Sequence, residues 1–72
     1  MESKKERFVR IAEARTNKII DMIRLLGNCS SKVTYEYSKE DVRKIFNAIE
    51  SELKSAKAKF ESSSDDSAKF KL

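Results

Sequence analysis

The chain has no proline and a single glycine, Gly27, so only one position offers the backbone a natural break. Upstream of it, Phe8, Ala12, Arg15, Ile19, Met22 and Leu26 recur in alternating steps of four and three residues, the spacing of a heptad seam. Downstream, Val42, Phe46, Ile49, Leu53, Ala56 and Phe60 repeat that spacing. Apolar residues at this period predict two amphipathic helices. Charged residues make up 39% of the chain, which suits long solvated helix faces better than a turn-rich β fold. The expected fold class is all-α.

Cap chemistry bounds the helices. Ser3 as N-cap with Glu6 three residues later matches the capping box, in which each side chain satisfies the other residue's free amide, so the first helix is placed at about 4–26. Gly27 is expected to end it in the left-handed conformation that glycine tolerates. Residues 27–37 read as a loop, rich in loop formers at first and then in β-branched and aromatic residues that would also suit an isolated strand. Ser38 resembles a second N-cap, with Glu40 and Asp41 complementing the positive helix end, and the second helix is placed at about 38–61. Residues 62–72 are polar and low in complexity and read as a disordered tail, in which Phe70 and Leu72 are the only large apolar residues.

Laid antiparallel, the two seams match pair by pair: Leu26 with Val42, Met22 with Phe46, Ile19 with Ile49, Arg15 with Leu53, Ala12 with Ala56 and Phe8 with Phe60. The expected architecture is therefore an antiparallel two-helix hairpin. Arg15 is the exception in the seam, its stem lying over apolar neighbours and its guanidinium directed to Glu50 or Glu52. Val9, Ile11, Ile20, Ile23 and Leu25 flank the first seam, and Ile45 and Ala48 the second, which is more apolar surface than two helices cover. Dimerisation into a four-helix bundle is the expected solution, and residues 33–37 folding over part of that surface is the monomeric alternative.

A 72-residue chain forms one domain and buries proportionally little surface. One cysteine forms no intramolecular disulfide, and the absence of histidine removes the usual zinc and imidazole sites. Cys29 follows the first helix, whose negative pole opposes a thiolate nucleophile. The carboxylates Glu13, Asp21, Glu50 and Glu52 stand without a metal signature or a glycine-rich phosphate loop. No enzyme, cofactor or metal is expected. The charged start and the lack of a long apolar run point away from the membrane and toward the cytoplasm.

Net charge is +4, and the excess lies in the first helix: residues 1–27 carry +3 and residues 38–61 carry +1. Arg7, Arg10, Asn17, Lys18 and Arg24 share its polar face, interrupted by Asp21, and form a candidate nucleic-acid surface. A solvated helix exterior has the same composition. Val9, Ile11, Ile20, Ile23, Tyr35, Tyr37 and Ile45 form a candidate protein interface.

The run Arg7-Phe8-Val9-Arg10-Ile11-Ala12-Glu13-Ala14-Arg15-Thr16-Asn17-Lys18-Ile19-Ile20, continued by Leu25-Leu26-Gly27-Asn28-Cys29-Ser30, resembles small uncharacterised proteins of conjugative plasmids and transposons of Gram-positive bacteria. Tyr35-Glu36-Tyr37 and the stretch from Ile45 to Phe60 extend the resemblance, which carries no site residues with it. It implies a bacterial cytoplasm and a role in maintaining, transferring or protecting a mobile element. The functional expectation is a non-enzymatic helical adaptor, associated with nucleic acid and paired with itself. The alternative is an inhibitor or regulator, of a host defence system for example, that docks on a larger protein through the Tyr35–Tyr37 loop and the apolar flank.

Overall fold

The computed structural model describes residues 1–64; of the expected tail 62–72, residues 62–64 belong to a helix and the rest, with Phe70 and Leu72, lies outside the described residues. The chain divides into two units, Met1–Glu36 and a second beginning at Tyr37. The fold is all-α. The first unit holds α1, Lys4–Gly27, followed by a short 3₁₀ turn at Asn28–Ser30, and the second holds α2, Lys39–Ser64. Among the described residues there is no β-strand, so the β-branched and aromatic stretch before α2 forms none.

α1 begins with the expected capping box. Glu6 N–H donates to Ser3 Oγ at 3.0 Å and Ser3 N–H donates to Glu6 Oε1 at 2.8 Å. Ser3 has extended backbone, φ −77° and ψ 168°, which turns its hydroxyl toward the open first turn. The C-terminal end differs from expectation. Gly27 is not a left-handed cap: its φ of −58° and ψ of −30° are right-handed helical, and no described residue has positive φ. Helical backbone continues into Asn28, whose N–H is directed at the carbonyls of Arg24, Leu25 and Leu26. The tightened turn satisfies the carbonyls that a left-handed glycine would otherwise have served.

After the 3₁₀ turn the Ser31 carbonyl accepts from Tyr35 N–H at 2.9 Å and from Thr34 N–H at 3.3 Å, which closes the loop locally. α2 then opens on a second reciprocal cap. Asp41 N–H donates to Ser38 Oγ at 3.0 Å, and Ser38 N–H donates to Asp41 Oδ2 at 2.9 Å. Asp41 thus holds the cap amide directly, beyond the charge complement expected of it. α2 extends to Ser64, past the expected end near residue 61.

Among the described residues none is buried. Ile11, Ala12 and Leu26 in the first unit, and Tyr37, Val42 and Ile49 in the second, are half-buried; four of these six belong to the two seams. The large side chains between them remain open, with Ile19 58% exposed and Leu53 59% exposed. Isolated helices in water are marginal, and most helical stability in proteins comes from packing an amphipathic face. The apolar stripes of α1 and α2 are the surfaces that such packing would use.

Candidate functional site

α1 carries the candidate residues of both kinds, and its helical geometry sorts them. At about 100° per residue, Arg7, Arg10, Asn17, Lys18 and Arg24 fall within an arc of about 120°. The face expected from the sequence is therefore one side of α1, with Asp21 lying within the same arc. Its charge is partly met from within the chain. Glu2, which precedes the helix, accepts from Arg10 Nε–H at 2.7 Å and from Arg10 Nη2–H at 2.9 Å. Arg7 Nε lies 3.9 Å from Glu2 Oε1, so one carboxylate serves two guanidinium groups. Arg24 Nη1 stands 3.9 Å from Asp21 Oδ1 one turn before it. Among the described residues Lys18 makes no ion pair and remains the open cation of the strip.

The electrostatics follow from these contacts. The Arg10 guanidinium holds the Glu2 carboxyl below the ordinary glutamate range, and Glu2 in turn raises Arg10. Glu6 is also lowered, first by the Ser3 backbone amide and then by its hydroxyl. All of these groups are solvent-exposed, so the pairs orient side chains more than they stabilise the fold. A planar guanidinium already engaged edge-on by a carboxylate has the geometry with which arginine meets phosphate oxygens. Glu2 was not among the expected site residues. It lies eight positions from Arg10 and outside the helix, beyond the i, i+3 and i, i+4 rules that find partners within one.

The candidate protein interface resolves less uniformly. Val9, Ile20 and Ile23 lie within about 60° of one another, together with Thr16. They are 43%, 40% and 47% exposed respectively. Ile11 sits on the other side of the seam, about 160° from Val9, and is half-buried. Leu25, counted from sequence among the flanking residues, projects in the same direction as Arg7 and interrupts the basic strip with an exposed apolar side chain. Tyr35 closes the turn begun at Ser31 and is half-exposed. Tyr37 opens the second unit and is half-buried, and Ile45 lies exposed on α2.

Among the described residues there is no group of three or more histidine, cysteine, aspartate or glutamate side chains arranged to hold a metal ion. Cys29 is an exposed free thiol in the 3₁₀ turn. No helix among the described residues is long and apolar enough to cross a membrane. No protein-family model matches the sequence, and no curated protein or solved structure matches it.

Proposed function

We propose that the chain is a non-enzymatic helical adaptor in which α1 and α2 close into an antiparallel hairpin and two copies complete a four-helix bundle. The observation that carries this reading is the pair of exposed stripes: α1 and α2 each carry a seam of the same length and spacing, and among the described residues none is buried. Fully burying one leucine, isoleucine or phenylalanine contributes about 1.5–3 kcal/mol, so joining the seams changes marginal helices into a stable assembly. Ile19 against Ile49 marks the middle of that pairing, and Arg15 meets Glu50 or Glu52 beside Leu53.

Sedimentation equilibrium combined with circular dichroism over a dilution series tests it. The reading expects a dimer whose helicity falls as it dissociates. A chain that stays monomeric and fully helical on dilution overturns it, and a monomer that becomes helical only with a larger protein supports the regulator instead.

A second reading is favoured by one specific feature, the gathering of Arg7, Arg10, Asn17, Lys18 and Arg24 on one side of α1. In it the adaptor contacts nucleic-acid phosphates through that strip, as an accessory of a mobile element in a bacterial cytoplasm. Affinity for duplex or single-stranded DNA would then fall steeply as salt rises. A flat anisotropy titration at low salt overturns this reading and leaves the bundle standing.

A further inference from the structure

The apolar flank of α1 made by Val9, Thr16, Ile20 and Ile23 is self-complementary when reversed. Thr16 lies midway between Val9 and Ile23, and also midway between Ala12 and Ile20. Running two copies of α1 antiparallel about Thr16 sets Val9 against Ile23 of the second copy, Ala12 against Ile20, and Thr16 against itself. An isologous two-fold contact needs this symmetry of a surface with its own reverse.

Charge selects the same orientation. The outer edge of the flank carries Glu6 near the start of α1, Glu13 before its middle and Arg24 near its end, all on the same side, Glu6 and Arg24 at about 70° and Glu13 at about 50° from the centre of the flank. In an antiparallel helix pair like edges meet, so Glu6 comes opposite Arg24 of the second copy at each end. Glu6 Oε1 is held by the Ser3 amide in the capping box, and no bond of that box uses Oε2. Among the described residues Arg24 is held only by an exposed contact to Asp21 at 3.9 Å. A parallel pair would instead bring this charged edge onto the seam side, setting Glu6 and Arg24 against the apolar Phe8 and Leu26.

We infer that the second copy of this chain docks on the Val9–Ile23 flank of α1, antiparallel and centred on Thr16, with Glu6 and Arg24 paired at both ends. This rests on the self-association proposed above and names the surface and direction through which it occurs. α1 then has one stripe for its own α2 and another for its twin, with Ala12 at the border they share. The basic strip lies on the remaining side, bordering the contact at Arg24.

Disulfide cross-linking of the full chain, with Cys29 replaced in a Cys29→Ser background, tests the inference. Val9→Cys and Ile23→Cys variants are oxidised separately and as an equimolar mixture, with dimer content followed by sedimentation and helicity by circular dichroism. The antiparallel contact expects the mixed disulfide as the main product of the mixture and little covalent dimer from either variant alone. Arg24→Glu, which brings like charges together at both ends, is expected to weaken the dimer about three- to tenfold. Covalent dimer from Val9→Cys alone shows a parallel pair and overturns the inference while preserving self-association. A dimer that forms neither disulfide joins through another surface and likewise overturns only the inference. A chain that sediments as a monomer overturns both.

Discussion

Arg10 meets Glu2 through two nearly equal hydrogen bonds, Nε–H to Oε2 at 2.7 Å and Nη2–H to Oε1 at 2.9 Å, so the segment before α1 is drawn back over the helix's second turn. Where a phosphate would approach the basic strip, a carboxylate of the same chain already occupies the guanidinium edge. Replacing it should expose one more cation. Glu2→Gln is expected to steepen the dependence of DNA affinity on salt by about 0.9 in log–log slope, the contribution of roughly one additional phosphate contact. Anisotropy titrations of both proteins across a salt series measure this, and superimposable slopes would count against it.

The same segment responds to acid. Arg10 lowers Glu2, while the Ser3 amide and hydroxyl lower Glu6, so both carboxylates are more acidic in the folded chain than in the unfolded one. A depressed carboxylate contributes stability that is complete above its unfolded value and is lost as pH falls through the folded one. The start of α1 should therefore loosen as pH drops through and below the ordinary glutamate range, and be unaffected by pH near neutrality. Amide chemical shifts of residues 3–10 followed by NMR should move together over that acidic window. A transition centred above the ordinary glutamate range would contradict the assignment.

Gly27 supplies a sharper test because its conformation departs from expectation. A Cβ at this position meets nothing within 4 Å, and the backbone is right-handed helical. Gly27→Ala should therefore stabilise the protein by about 0.5–1 kcal/mol through helix propensity and reduced freedom of the unfolded chain. Urea denaturation reads this directly. A loss of stability would mean that the residue needs a left-handed conformation after all.

Ser38 holds the start of α2 through the Asp41 amide. Ser38→Ala removes the acceptor and should cost about 1 kcal/mol, whereas Ser38→Asp, which keeps an acceptor, should retain most of that stability. Thermal melting of the two variants side by side separates loss of the cap from loss of the side chain in general.

Ile19→Asp places a carboxylate at the middle of the α1 seam. Exposed as Ile19 is in the single chain, this change should affect an isolated helix modestly but abolish the assembled state, because the charge is desolvated only when the seams close. Sedimentation should show the loss of dimer, and circular dichroism the accompanying loss of helicity. Unchanged association and melting would show that Ile19 does not lie in the closed seam.

Much of α1 and α2 was legible because the signals concerned are local. Ser3 and Glu6, and Ser38 and Asp41, act across three residues of sequence, and alternating apolar steps describe a helix face without reference to anything distant. Gly27 misled because its tolerance of left-handed backbone is a permission; whether it is used depends on how the next turn satisfies the helix carbonyls, here by a 3₁₀ turn at Asn28. Ile11, Leu25 and Val9 each lie beside a seam residue in sequence, but helical rotation sends Ile11 and Leu25 to the side of the seam away from Val9. Glu2 was invisible for the opposite reason: its link to Arg10 depends on the path of the chain before the first helical residue, which periodicity does not describe.

The two reciprocal caps have a kinetic consequence. Each is complete within four consecutive residues, so the rotational phase of each helix is established at its first turn without waiting for a partner. If two chains pair as proposed, the caps bias each helix toward its final phase, so part of the ordering that an uncapped chain would undergo on contact is favoured beforehand. Productive collisions then depend mainly on azimuth, which should make association of this short chain faster than that of an uncapped variant with the same apolar residues.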